Sequence, residues 1–283
     1  MQTLVLGTAN FGQRYGVQGK PELTQKEVDR MLVWASGKID ELDTSEDYKK
    51  SHKIISKHSF NFKITSKIDL NKIATANELT SRISQISQEL KKLQVERILL
   101  RPHSSNNEVT LKAIKKLREL QEGSLIGEIG LTIYDTKELE YFSSEISGPL
   151  VFQVPISIIN QSFEKLVRGN PQQYKHFKFY ARSIFLQGLL LMEVTKIPSH
   201  LQEISPAILF LNNELERVGS SIPEATFSYL KRQEWIVGII MGVSNLEELQ
   251  RNVEIFHSST VFDLELLDRL PSVPSKIRDP RLW

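Results

Sequence analysis

The chain has 283 residues, of which 40% are hydrophobic and 25% charged, with a net charge of +2. Those are ordinary values for a globular protein, and the charge is too small to argue for nucleic acid or an anionic membrane as a partner. The absence of cysteine excludes disulfides and thiolate metal sites and fits a reducing compartment.

Length alone allows one large domain or two ordinary ones, and either can bury a core. The N-terminus runs straight into QTLVLGTANFG, with no basic segment ahead of an apolar stretch, so no signal peptide is expected. No apolar run approaches the roughly 18 residues of a membrane span. A cytoplasmic setting follows as the expectation.

Short apolar or β-branched runs alternate with amphipathic stretches along the whole chain. Residues 2–7 read as a first strand. TQKE, from Thr24, has the form of a capping box, and Val28, Met31, Leu32 and Ala35 then share one helical face. Residues 38–43 are expected as the second strand and 46–57 as a basic helix, which puts Tyr48 about one turn into it. The third strand is read at 62–68. A long helix over about 76–93 carries Leu79, Ile83, Ile86, Leu90 and Leu93. The fourth strand, 96–102, is halted by Pro102. A helix at 108–121, a strand at 126–134, a helix at 135–146 and a strand at 150–157 follow. Residues 161–175 make a poorer helix, broken by Gly169, Asn170 and Pro171, before a seventh strand at 177–185. Two helical pieces, about 199–217 and 223–233, lead to an eighth strand at 235–244 and a last helix over NLEELQRNVEIF. The tail from about 260 to 283 reads as an irregular closing segment.

Eight strand–helix units in strict alternation favour a closed (β/α)8 TIM barrel over an open doubly wound sheet. Residues Asp43, Lys67, Arg101, Gly130, Gln153, Arg182 and Gly242 mark the strand exits at intervals of one unit. The long last interval implies an insertion in the seventh unit. With no linker, visible repeat or low-complexity tract, the expectation is a single barrel domain over 1–283. Its strand exits would bring residues distant in sequence to one rim.

Asp43, Tyr48 and Lys67 then stand out. A free tyrosine has a pKa near 10 and is a poor acid at neutral pH, but a nearby ammonium favours the phenolate. At roughly 4 Å and an effective dielectric of about 20, one such pair is worth about 4 kcal/mol, or at most about 3 pKa units. Lys67 is therefore expected to lower Tyr48, and Asp43 to hold Lys67 charged. Taken by themselves, the same residues also describe a surface tyrosine and a strand-end ion pair.

DTSEDY followed by TSKI resembles the aldo-keto reductase family, whose second strand exit carries the catalytic Asp and Tyr and whose third strand carries the catalytic Lys. LGTANFG, IGLTIYD, FQVPISIIN, ARSIFLQGLL, GVSNLEELQRN and the terminal DPRLW resemble family segments in the expected order, over nearly the whole chain. The resemblance implies NAD(P)H-dependent reduction of a small aldehyde or ketone, with Tyr48 as proton donor, Lys67 tuning it and Asp43 orienting Lys67. One departure is plain. The family's histidine at the fourth strand exit is replaced by ILLRPH, so either Arg101, as a fixed cation, or His103, as a switchable donor, could assist the carbonyl; the alternative is a structural ion pair at Arg101 and a solvated loop residue at His103, which leaves Tyr48 and Lys67 to act alone.

By the same resemblance, Thr132 and Gln153 would hold the nicotinamide carboxamide and Arg182 would stack on the ring. Ser183, Gln187 and Gly188, with Gly242 and Ser244 before a helix N-terminus, would hold the pyrophosphate and adenosine, a role helix N-termini serve well. Asn252 matches an adenine contact. Without the resemblance, Ser244 with Glu247 is an ordinary capping box. Gly242 and Glu248 stand where the family carries cations for the extra phosphate of NADPH. A carboxylate there repels that phosphate and can accept from a ribose hydroxyl, which favours NADH, with Arg251 as the nearest compensating cation.

Two other readings stay open: a nucleotide-binding barrel of weak turnover serving as sensor or scaffold, and a barrel lyase using Lys67 as a Schiff base. His52, His58, His176, His200 and His257 have no metal-ligand spacing, so no metal is expected. Trp34 reads as core. Phe11 and Tyr15 are expected to wall the pocket. Loops at 11–20, 101–108 and 270–283 would shape a site for a sugar-like or other polar carbonyl. Oligomeric state is not readable.

Overall fold

A computed structural model describes residues 2–58, 60–258 and 265–283. Eight parallel strands close on themselves in sequence order: β1 (Thr3–Gly7), β2 (Glu41–Asp43), β3 (Lys63–Asp69), β4 (Val95–Arg101), β5 (Ile126–Thr132), β6 (Leu150–Pro155), β7 (Phe177–Arg182) and β8 (Ile236–Gly242). Register from Thr3 opposite Gly238 to Gly7 opposite Gly242 joins β1 to β8 and closes the ring. The expected TIM barrel is what forms, and all eight strands lie where the alternation put them.

Helices cover the outside because each has one apolar stripe. Helix α1 (Gln25–Ala35) buries Val28, Met31, Leu32 and Ala35, and it opens on the anticipated Thr24–Glu27 capping box. Helix α2 (Ser51–Ile55) is short. Helix α3 (Ala76–Leu90) buries Leu79, Ile83, Ile86 and Leu90, but it stops before Leu93, which is 98% exposed. Lys91 takes a left-handed backbone (φ 52°) and ends the helix there. Helices α4 (Asn107–Glu122) and α5 (Thr136–Glu145) follow, and the poor helix at 161–175 resolves into α6 (Ser162–Gly169) and α7 (Pro171–Tyr174). The seventh unit does hold the insertion. Short 3-10 turns, α8 (Ser205–Glu216) and α9 (Ile222–Lys231) separate β7 from β8, and α10 (Leu246–His257) and α11 (Ser275–Arg278) follow. Residues 259–264 of the expected irregular tail lie outside the described residues.

Alternation along the strands divides the barrel interior into layers, as the two-residue period of a strand dictates. The middle layer is apolar: Val5, Leu99, Val151, Tyr180 and Ile240 pack together. Gly130 belongs to this layer and not to the rim. A Cβ there would sit 2.0 Å from the Val151 carbonyl oxygen, so the strand exit of β5 is Thr132. Below the plate, Arg97 bonds Glu41, Thr65, Glu128 and Tyr180. Above it, two residues further along the same strands, stand Asp43, Lys67, Thr132, Gln153 and Arg182, where the strands deliver them to the C-terminal mouth.

Candidate active site

A cavity of about 460 Å3 opens at that mouth. That size lies in the range of small-molecule sites. Asp43, Tyr48, Lys67, Arg101, Thr132, Gln153 and Arg182 line it from six strand ends or the loops after them. Lys67 Nζ donates to Asp43 Oδ1, and both side chains are buried. Gln153 Nε2 donates to Asp43 Oδ2 at 2.7 Å. Asp43 thus has both oxygens committed, one to each neighbour, and the lysine ammonium is held at a fixed place. It lies 5.5 Å from the centre of the Tyr48 ring. No hydrogen bond within the described residues engages the Tyr48 hydroxyl, which is left to the cavity.

The local fold around Tyr48 differs from the expected helix. Ser45 Oγ accepts from the Asp47 amide at 3.2 Å, and the Tyr48 amide donates to the Ser45 carbonyl at 3.0 Å. Lys49 follows with φ 45°, a left-handed residue that no helix accommodates. Tyr48 therefore sits in a turn, and α2 begins only at Ser51. The tight turn, not a helical face, aims the phenol inward.

The electrostatics also correct the expectation for this phenol. Burial, and then the Asp43 carboxylate, push the Tyr48 pKa up; Arg182 and Arg101 only partly oppose them. Burial pulls Lys67 down, and Asp43 pulls it back. Tyr48 is accordingly a neutral phenol that keeps its proton at neutral pH. That remains compatible with donation, since a developing alkoxide is a stronger base than a phenolate.

Of the two candidates at the fourth strand exit, only Arg101 reaches the cavity. Arg101 Nη1 pairs with Asp69 at 2.9 Å and Asp47 at 3.6 Å, while its Nε is buried without a partner. His103 lies beyond Pro102, off the cavity wall. Its amide donates to Thr110 Oγ1 at 3.0 Å, and its ring Nδ1 accepts from the Ser105 amide at 3.3 Å. Strand β4 ends at Arg101, and past Pro102 the strand parity that would have kept the two residues on one face no longer applies.

On the far side, Ser183, Gln187, Gly188, Gly242, Ser244 and Glu248 all line the cavity. Nothing lies within 4 Å of a Cβ built on Gly188 or Gly242, so both leave room for a ligand against backbone. The turn after β7 is strained: Ser183, Leu186 and Gln187 all have positive φ between 47° and 56°. The cap of α10 sits one residue later than expected. Asn245 Oδ1 accepts from the Glu248 amide at 2.7 Å, and Glu248 Oε2 accepts from the Ser244 amide at 2.7 Å. Asn252 lies on α10 away from the cavity wall, and Phe11 is core, while Tyr15 does line the cavity as expected.

The loops at 11–20 and 270–283 do line the cavity as expected, but their individual contacts, and the place of Tyr134, were not singled out. The loop after β1 crosses the cleft: the Val17 amide donates to the Gln187 carbonyl at 3.2 Å, and Lys20 Nζ meets Ser244 Oγ at 2.9 Å and Glu248 Oε1 at 3.3 Å. Gly16 is required there, with φ 86° and space for a Cβ only 3.0 Å from the Gln187 oxygen. Tyr134 has the Arg182 guanidinium 4.2 Å and the Arg281 guanidinium 3.8 Å from its ring centre. The pairings themselves have no local signal; the closing of the ring and the return of the C-terminal tail produce them. No group of His, Asp or Glu suited to a metal occurs among the described residues. No described helix is long and apolar enough to cross a membrane.

A parallel eight-stranded barrel with an Asp–Lys pair beside a tyrosine at its C-terminal mouth defines a class, and the sequence agrees with it. The sequence model of the Aldo/keto reductase family matches residues 3–272, and the chain belongs to that family. Among solved structures it is similar to an aldo-keto reductase from Bacillus halodurans in its holo form (13% identity, TM-score 0.77, covering 98% of this chain and 95% of that one). It is also similar to a glycerol dehydrogenase from Gluconobacter oxydans (15%, 0.72, 96% and 93%) and to a Bombyx mori aldo-keto reductase in complex with NADP (16%, 0.69, 94% and 87%). At such identities these likenesses speak for the fold alone. No curated protein sequence matches the chain. Membership makes it a nicotinamide-dependent oxidoreductase of small carbonyl compounds.

Proposed function

We propose that this chain, as a single barrel, reduces an aldehyde or ketone to an alcohol, with Tyr48 giving its proton to the substrate oxygen. The observation that carries the reading is the Asp43–Lys67 pair held against the Tyr48 ring, with the phenol hydroxyl left free at the cavity. A nicotinamide nucleotide, when bound, supplies the hydride; this chain orients and polarises. Tyr48 holds its proton until negative charge develops on the substrate oxygen. The positive fields of Lys67, Arg101 and Arg182 then favour the phenolate that remains. Arg101, standing in the place of the family histidine, adds a fixed cation beside the carbonyl.

The residues lining the far side suit a dinucleotide. Thr132 and Gln153 offer a hydroxyl and an amide for the carboxamide; the Thr132 hydroxyl donates to Gln153 Oε1 at 3.5 Å. Arg182 offers a guanidinium plane for the ring. Ser183, Gln187, Gly188, Gly242 and Ser244 offer hydroxyls and open backbone for the phosphates, at an α10 N-terminus whose dipole favours anions. Glu248 supports a preference for NADH, because its carboxylate stands where a further phosphate would need donors. The cation nearest to it is Lys20 rather than Arg251, and Lys20 moderates that preference without reversing it.

The replacement of the histidine by Arg101 favours one rival, a nucleotide-binding barrel with little turnover. Fluorescence quenching by NADH and NADPH, beside hydride-transfer assays on a panel of aldehydes, separates the two. In the Tyr48→Phe variant nucleotide binding is expected to stay within about twofold of wild type while turnover falls by about two orders of magnitude or more. Retained turnover in that variant would remove Tyr48 from its role, and nucleotide binding with no turnover in wild type would favour the rival.

A further inference from the structure

Most cations on the cavity wall are answered by an anion of the chain itself. Lys67 is paired with Asp43, Lys20 with Glu248 and Arg101 with Asp69. Arg182 is different. It has no carboxylate within ion-pair distance among the described residues; its Nη2 donates to the Ile133 carbonyl at 2.8 Å and its Nη1 to Ser183 Oγ at 3.2 Å. Both acceptors are neutral, and Nε is buried without a partner. The Asp279 carboxylate feels the Arg182 charge, but Arg281 already holds both Asp279 oxygens.

The guanidinium is also fixed in place. Its carbon stands 4.2 Å from the centre of the Tyr134 ring, and the Arg281 guanidinium holds the same ring at 3.8 Å. With two edges bonded and an aromatic ring against it, the group has little freedom to swing away from a guest. Strand register sets it beside the pair proposed for the carboxamide. Thr132 lies opposite Gln153, and Arg182 lies opposite Pro155, two residues past Gln153. All three side chains line the one cavity.

A nicotinamide ring held by Thr132 and Gln153 changes charge when it reacts. The reduced ring is a neutral dihydropyridine, and loss of hydride makes it a pyridinium cation. The diphosphate is common to both forms and cancels between them, so the difference falls on the groups nearest the ring. A like charge about 4 Å away costs about fivefold in affinity at the dielectric of bulk water, and about a thousandfold at an effective dielectric of about 20. An aromatic side chain in that place would attract the cation instead.

We propose that Arg182 makes this site selective for the redox state of its nucleotide, binding the reduced form, with its neutral ring, more tightly than the oxidised form. This rests on the proposed seat of the nicotinamide and adds a property of that seat. The same charge opposes departure of the hydride and speeds departure of the oxidised product. It suits a chain that must load reduced nucleotide in the presence of the oxidised one.

Calorimetric titration of the protein with NADH and NAD+, with NADPH and NADP+, and with ADP-ribose tests the assignment without turnover. In wild type the reduced member of the tighter pair is expected to bind about tenfold or more better than the oxidised member. Arg182→Gln is expected to bring that ratio to within about twofold of one, and Arg182→Tyr, a second neutral platform, to do the same. Arg182→Lys, which keeps the charge, is expected to retain most of the preference. ADP-ribose has no nicotinamide ring, so its affinity is expected to stay within about twofold in all four proteins. A wild-type ratio near one overturns the proposal, and that measurement needs no variant to fold. So does an Arg182→Gln that weakens ADP-ribose and both nucleotides alike while the ratio stands, because the side chain would then be structural. Failure of every nucleotide to bind wild type would instead sink the reductase reading itself.

Discussion

Two polar clusters share the interior of this barrel, one on each side of the apolar plate made by Val5, Leu99, Val151, Tyr180 and Ile240. The lower one is closed. Arg97 donates to Glu41 at 3.1 Å, Thr65 at 2.7 Å, Glu128 at 2.9 Å and the Tyr180 hydroxyl at 2.7 Å, and Lys178 completes Glu128. Two positive charges meet two negative ones. The upper cluster grows from β2, β3, β4 and β7 again, two to four residues on, and it is open. The Tyr48 hydroxyl has no partner within the described residues, and Arg101 and Arg182 each keep an unbonded Nε. Buried polar groups that find each other make structure, and those held back from each other await a guest. Chemical kind does not separate the clusters, since both contain Arg, a carboxylate, a lysine and a tyrosine. What separates them is whether the donors are spent.

If that contrast is right, the two clusters fail in different ways. The largest effect belongs to the open one. Tyr48→Phe removes a hydroxyl with no bond to lose, so thermal stability is expected to hold within about 0.5 kcal/mol. The rate of aldehyde reduction is expected to fall by about 100- to 10,000-fold, the usual worth of a positioned general acid. A loss of folding in that variant would place the phenol among the structural groups. Next comes Arg97→Met in the closed cluster. It strands the buried Glu41 and leaves Glu128 with Lys178 alone, and a broken buried pair costs about 3–5 kcal/mol. Chemical denaturation is expected to show that loss, while kcat measured well below the melting temperature stays near wild type.

The Asp43–Lys67 pair sharpens the contrast because it belongs to the open cluster yet looks like structure. Burial opposes the charge on Lys67, so the pair gains little net stability. The double variant Asp43→Asn/Lys67→Met keeps an acceptor for Gln153 and removes both charges. Its stability is expected to lie within about 1 kcal/mol of wild type, or above it, with turnover lost. A large destabilisation would show that the pair holds the barrel and not only the phenol.

Much of this could be read along the chain, and what could not has a physical pattern. Strand order and the rim positions of Asp43, Lys67, Arg101, Gln153 and Arg182 follow from apolar periodicity, because a strand exit is marked locally where an apolar run turns polar. Gly130 was misplaced by the same rule: it makes room within the barrel for Val151, a cross-strand demand with no local mark. The turn at Tyr48 was hidden because a left-handed lysine at Lys49 has no composition signal. His103 was a candidate until Pro102 carried it off the strand face. Lys20, Tyr134 and Arg281 needed the closed ring itself, since each meets its partners only across it.

The smallest expected effect concerns a third polar cluster, behind Lys67 on the outer face of β3. His52, on α2, holds Ser66 Oγ at 3.0 Å through Nε2 and Glu89 Oε2, on α3, at 2.9 Å through Nδ1. It is closed like the Arg97 cluster, but its centre can titrate. Burial holds His52 below the usual histidine range, with Glu89 pulling the other way and Lys67 adding to the depression. The unfolded chain therefore takes the proton first. Stability from this site is full above the ordinary histidine value of about 6.5 and declines as pH falls below it, by at most about 1.4 kcal/mol per pH unit. Burial pushes Glu89 up, but its hydrogen bonds from His52 and Gln85 more than offset this and leave it lowered, so its own contribution is lost only further down, below about 4.5. Between pH 7 and 5, melting of wild type is expected to drop by a few degrees more than that of His52→Gln, whose amide can bridge Ser66 and Glu89 without titrating. Equal slopes for the two proteins would mean that the unfolded chain holds no more protons here than the folded one. The cluster would then be closed in the same sense as that around Arg97, indifferent to pH.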